Sequence, residues 1–390
     1  MATVRGKADA AVPRRTARLG AGLTGALLAV LAGWTLTRAA SRQEWSGDRT
    51  DAGRLASWLV GSISEPQFYA VAPAGALLLA GGLAGHVAHR RSWRWQGFVQ
   101  ACGTGLWAWA AGSALAGLLL GNLAWGWTLV PGGWQPLFVP LVSVAPAIVV
   151  LYGPGWRVAL SATVLGALLT PPIAILTVGH VTGPLDLPPV VGATTGMWGG
   201  AIIAFWLCGR LPWMPAPGAW RTDPDPAPGR RGHLLLWVPR RALADFSEAQ
   251  FFGNEWASAA LILGAVLSHL IDPSGTAYGS GLFPEVLAGQ VLTAVAGVVV
   301  WRGRWEARGF YPTFVPVVSV APATVLVFGG TWQSVVLGAL AGALVAPPMA
   351  AAISARLPAS FHPFIGNVAS MTVSTALIVA VFRLIPGIAS

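Results

Sequence analysis

Asp, Glu, Lys and Arg together make up only 10% of this 390-residue chain, and a single lysine, Lys7, is among them. An ordinary soluble domain carries roughly a quarter charged residues, so a soluble fold of this make-up would have too little polar surface to cover itself. Two cysteines, Cys102 and Cys208, give no disulfide framework; both fall in apolar stretches and read as packing residues. The sequence also has no glycine-rich phosphate loop with lysine, no HExxH and no CxxC. It offers no support for ATP hydrolysis, a cofactor or a metal centre, and the chain is not read as an enzyme.

What is present is hydrophobic sequence, 55% of the residues. It comes in runs of roughly 20, enough to cross about 30 Å of hydrocarbon at about 1.5 Å per residue. The expected spans cover 19–39, 66–88, 97–120, 133–152, 157–179, 189–210, 250–271, 282–301, 309–328, 333–354 and 363–385, about 11 transmembrane helices in an all-α polytopic membrane protein. Residues 1–18 read as a basic tail, 19–39 as an N-terminal membrane anchor with a cleaved secretory signal as the alternative, and 213–241 as a Pro-rich polar linker. The net charge of +10 comes from arginines scattered between the apolar runs. They build no basic nucleic-acid module and read as topology signals and contacts to anionic membrane lipids.

The chain repeats itself. PLFVPLVSVAPA at 136–147 answers PTFVPVVSVAPA at 312–323, and GALLTPP at 166–172 answers GALVAPP at 342–348. Upstream, SEPQFY at 64–69 answers SEAQFF at 247–252, and downstream PVVGATTGM at 189–197 answers PFIGNVASM at 363–371. The reading is two five-helix repeats, 64–212 and 247–386. Five is odd, so a second copy after a linker that does not cross must insert upside down. Loop charge agrees: HVAHRRSWRW at 86–95 is basic and its counterpart at 271–281 has no basic residue, whereas LAWGWTLVPGG at 123–133 is uncharged and WRGRWEARG at 301–309 is basic. Arg383 is the one discordant residue. The N-terminus and linker are expected in the cytoplasm and the C-terminus outside.

Candidate path residues follow from that plan. Pro140 and Pro146, like Pro316 and Pro322, lie six apart in an apolar span and flank Ser143 and Ser319, whose hydroxyls could meet a solute at a proline-broken helix. The alternative is a kink whose serine bonds its own backbone. The Pro-Pro steps read chiefly as packing plus a break, with Thr170 a further lining candidate and Asn367 another. In SExQF, Ser64 with Gln67 and Ser247 with Gln250 have capping-box spacing, and Glu65 and Glu248 favour a helix N-terminus; coupling or gating is the alternative for these glutamates and glutamines. Glu255 and Glu285, inside apolar spans, are coupling candidates unless they reach interfacial water. Trp93, Trp95, Trp125, Trp127 and Trp134 read as interfacial anchors.

In repeat plan, from about 64 to 386, the chain resembles urea-transporter-like channels and several families of secondary carriers with five-plus-five helices. The proline-flanked Ser143 is similar to a urea-transporter motif but differs in spacing, so no functional residue is carried over. The resemblance implies a channel or secondary transporter for a small polar solute or ion, with its site between inverted repeats. A membrane-embedded enzyme acting on a lipid-like substrate and a non-transporting scaffold subunit are the alternatives. A homo-oligomer stays open.

Overall fold

The structure, a computed structural model, describes residues 45–388 except 46, 49, 99–100, 131–132 and 221–233. The expected tail and anchor lie outside the described residues. Those described fold into helices alone: α1 (Ala52–Ser62), α2 (Ala72–Arg90), α3 (Trp107–Trp125), α4 (Val144–Tyr152), α5 (Trp156–Thr177), α6 (Pro189–Cys208), α7 (Leu234–Ala244), α8 (Glu255–Ile271), α9 (Phe283–Val300), α10 (Arg302–Arg308), α11 (Val320–Phe328), α12 (Trp332–Ser354) and α13 (Phe364–Arg383).

Six of them, α3, α5, α6, α9, α12 and α13, are long and apolar enough to cross a membrane. They carry leucines, isoleucines and valines on their outer faces, among them Leu160, Leu168, Ile202, Leu344 and Leu377. So large an exposed apolar surface would be costly in water and is at home in lipid. The chain is all-helical among its described residues, with six candidate membrane-spanning helices. The expected span over 97–120 begins late, because α3 starts only at Trp107 and carries on to Trp125. Residues 234–241, expected to be linker, instead begin α7, and α1 had no counterpart in the expected spans.

α2 packs along α8, and α6 along α13. The α2–α8 contact is reciprocal. A Cβ on Gly81 would fall 2.7 Å from Ala257 Cα, and one on Gly264 would fall 2.7 Å from Ala74 Cα. In the register of the SExQF match, Gly81 corresponds to Gly264 and Ala74 to Ala257. Such an exchange of partners is what a two-fold axis between two copies produces, and glycine at the crossing lets the backbones meet.

The two kinds of proline pair are accommodated differently. Pro140 and Pro316 occupy short 3₁₀ turns, Val139–Val142 and Val315–Val318. Pro146 and Pro322 sit in the first turns of α4 and α11, where backbone N–H groups have no intrahelical partner to lose. Ser143 and Ser319, between turn and helix, break the helical backbone. The Pro-Pro steps were expected to break their helices. Instead α5 and α12 run through them, and the cost is met from outside. Pro171 cannot donate to Ala167 O, and Trp125 Nε1 donates there at 3.0 Å; Pro347 cannot donate to Ala343 O, and Trp301 Nε1 donates there at 2.8 Å. Trp125 is thus an internal hydrogen-bond donor, not only an interfacial anchor.

Candidate functional site

The SExQF stretches meet at the centre of the molecule, and each residue type has its own task. The serines staple. Ser64 Oγ accepts from Val71 N at 3.0 Å and donates to Gly61 O, and Ser247 Oγ accepts from Asn254 N at 3.0 Å and donates to Ala244 O. The glutamines join the two loops. Gln67 Nε2 donates to Gln250 Oε1 at 3.0 Å and to Phe246 O at 2.6 Å, while Gln250 Nε2 donates to Gln67 Oε1 at 2.9 Å and to Ile63 O at 3.0 Å. Position 63 corresponds to 246 as 67 does to 250, so the four bonds form a second reciprocal set. Both glutamines are buried. The capping-box expectation therefore fails: no side chain at Ser64 caps a helix, and the glutamines are committed to each other.

The glutamates and phenylalanines of the same stretches line a cavity of about 1420 Å³. Glu65, Phe68, Glu248 and Phe251 all border it. Phe68 and Phe251 have φ of 67° and 63°, a left-handed backbone that a bulky side chain adopts only when its surroundings hold it there. The two strained rings, at matched positions, are functional candidates that sequence reasoning missed; the final F shared by both stretches was the available signal. Further lining comes in matched pairs from other elements: Phe138 with Phe314, Val142 with Val318, Met197 with Met371, and Ala193 with Asn367.

The two glutamates differ in their company. Glu65 Oε1 accepts from Trp134 Nε1, and Tyr278 stands edge-on to both Phe68 and Trp134, with ring centroids 6.2 and 6.4 Å away. Glu248 Oε1 accepts from Arg241 Nη2, which also binds Asp245 Oδ1 at 2.8 Å. Arg241 lies under the Trp305 ring, 4.7 Å from its centroid. Glu248 is 4% exposed, and its Oε2 is buried with no hydrogen-bond partner among the described residues. Burial pushes the Glu248 carboxyl up to about 7; Arg241 pulls against this, and the charge of Asp245 adds to it. Glu248 lies in the loop between α7 and α8, outside the membrane-crossing helices. The Arg241, Asp245 and Glu248 cluster escaped the sequence reading because its first member was assigned to the linker. Its spacing of four and then three places the three side chains on one side of a helical turn.

The other candidates fall elsewhere. Ser143 Oγ donates to Val139 O and Ser319 Oγ to Val315 O, so both hydroxyls are spent on their own turns, and neither residue borders the cavity. Pro140, Pro146, Pro316 and Pro322 are likewise absent from its walls. Thr170 is buried and donates to Gly166 O at 2.7 Å. Glu255 is not deep inside a span but the first residue of α8, paired with Arg240 (Nη2 to Oε1, 2.5 Å) and accepting from Phe98 N at 2.6 Å. Glu285 sits in the first turn of α9, away from the cavity. Asn367 does line it. Cys102 and Cys208 are free and buried. Among the described residues no group of three His, Cys, Asp or Glu could hold a metal ion.

Fold and site together give an all-helical chain with six candidate membrane-spanning helices and a cavity bordered by Glu65, Phe68, Glu248 and Phe251. No protein-family model matches the chain, and no curated protein matches it.

Proposed function

We propose that this protein is a channel or secondary transporter that moves a solute through the cavity between two inverted five-helix repeats. One observation carries the reading: a single cavity is lined by residues at matched positions of the two repeats, Glu65 with Glu248, Phe68 with Phe251 and Met197 with Met371. A central site between repeats is the arrangement that alternating exposure requires. The reciprocal glutamine and glycine contacts support a two-fold relation between the halves. The reversal of arginine bias between matched loops supports an axis in the membrane plane, with ten spans in the repeats and one preceding them. On this reading the broken helices around Ser143 and Ser319 are structural supports, and the path runs along Glu65, Phe68, Glu248, Phe251 and Asn367.

The test is flux into proteoliposomes from a panel of small cations, anions, neutral polar solutes and aromatic amines. At least one should enter faster than into empty vesicles. Ala193→Trp, which fills the cavity from the α6 side, should abolish that entry while the protein still inserts. If no solute in the panel moves, or if Ala193→Trp moves it as well as the wild type does, the transport reading is wrong.

A further inference from the structure

The cavity also carries information about its occupant, which deepens the transport reading and rests on it only for how the occupant arrives. A volume near 1420 Å³ is far more than a molecule of a few atoms fills. Most of its wall is apolar or aromatic, and polar side chains in it are committed to neighbours. The hydroxyls of Thr104, Thr194 and Ser354 each donate to a backbone carbonyl, Arg241 binds Glu248, and Arg302 binds Glu306.

Asn367 differs. It is only 7% exposed, it borders the cavity, and its side-chain amide makes no hydrogen bond with any described residue. Neither Oδ1 nor Nδ2 is among the sealed polar atoms that lack a partner, so both keep surface that opens on the cavity. Packing alone does not call for an amide there. The match of PVVGATTGM at 189–197 with PFIGNVASM at 363–371 pairs Asn367 with Ala193, which borders the same cavity. Phe364 and Met371, three residues before Asn367 and four after it, share its face of α13 and also border the cavity. The Phe251 ring stands against that of Phe364, with centroids 5.9 Å apart. An uncommitted amide is thus set in an apolar, aromatic wall.

Such an amide needs a donor for Oδ1 and an acceptor for Nδ2. An ammonium head supplies only the first and a carboxylate only the second, and each leaves the other group bare at a cost. A CO–NH edge supplies both side by side. We infer that the cavity binds a neutral molecule carrying a CO–NH edge on an aromatic body, the edge pairing with Asn367 Oδ1 and Nδ2 and the body lying against Phe251 and Phe364. A small amide without that body leaves the rings and most of the volume unfilled.

The experiment titrates the purified full-length protein in detergent by isothermal calorimetry with four probes: 2-phenylacetamide, methyl phenylacetate, phenylacetate and acetamide. 2-Phenylacetamide should bind saturably and roughly tenfold more tightly than the ester, which has an acceptor for Nδ2 but no donor for Oδ1. Phenylacetate, also without a donor, should bind no better than the ester, and acetamide, without the ring, should not saturate. Asn367→Leu, close in volume, should weaken 2-phenylacetamide binding by roughly ten- to a hundredfold, the range expected of two neutral hydrogen bonds, and remove its lead over the ester. Asn367→Ala makes the same test if the leucine variant fails to fold. No saturable binding of 2-phenylacetamide, binding of any other probe as tight as its own, or a lead over the ester that survives in the folded variants would each overturn the inference. Binding is read without flux, so the two readings fail separately. Binding of 2-phenylacetamide without flux of any solute would sink transport and leave this assignment, whereas flux of another solute without that binding would do the reverse.

Discussion

Removing the indole N–H of Trp125 should expose the hidden cost of Pro171. In α5 the carbonyl of Ala167 has no backbone donor, because residue 171 is proline, and Trp125 Nε1 supplies one at 3.0 Å. Trp125→Phe leaves that carbonyl bare in a medium without water. A buried orphan acceptor costs about 1 to 3 kcal/mol, and hydrogen bonds measured in membrane proteins average near 0.6 kcal/mol; about 1 kcal/mol is the expected loss, plus a packing term for the smaller ring. The packing term drops out of a double-mutant cycle. Pro171→Ala restores a backbone N–H to the same carbonyl, so Trp125→Phe should cost about 0.5 to 1.5 kcal/mol less in the Pro171→Ala background than in the wild type. Reversible unfolding in mixed micelles against SDS mole fraction, followed by circular dichroism, gives the four stabilities. Trp301 with Pro347 should repeat the pattern, since Trp301 Nε1 meets Ala343 O at 2.8 Å. Costs that add within about 0.3 kcal/mol in both cycles would refute the account of how these helices tolerate their prolines.

Gly81→Ala and Gly264→Ala should each destabilise by about 1 to 3 kcal/mol in the same unfolding assay, because each new Cβ meets the opposite backbone at 2.7 Å or less; if either variant is neutral, the helix crossing is looser than described. Gln67→Leu alone orphans Gln250, and the reverse holds too, so each single variant should lose about 1 to 3 kcal/mol while the double variant loses less than the sum. Strict additivity there would mean that the glutamines do not pair.

Much of the architecture is visible in the sequence because apolar runs and turn residues are local signals. A helix lies within or across each of the ten expected stretches from 66 to 385, and the 3₁₀ turns and breaks at Ser143 and Ser319 fall where the paired prolines are. What escaped depends on contacts between distant residues. S-x-x-Q reads as a cap because capping partners are near in sequence, yet Gln67 finds its partner at Gln250. Trp125 looks like an anchor at a span end because its acceptor, Ala167, lies 42 residues away. Glu255 seemed deep in a span because Phe251, Phe252 and Trp256 extend the apolar run past the true start of α8. Glu65 and Glu248 stand out in the sequence, but that they border one cavity depends on packing between residues 183 positions apart.

The proposed inverted relation of the two halves underlies the transport reading, and side-specific labelling tests it most directly. With Cys102 and Cys208 replaced, a single cysteine is placed at Arg94 or at Ser280, exposed positions in the matched loops after α2 and α8. A membrane-impermeant maleimide applied to intact cells should modify Ser280→Cys and leave Arg94→Cys untouched until the membrane is opened. Modification of both from outside, or of neither until the membrane is opened, would place the two loops on one side and contradict the inversion.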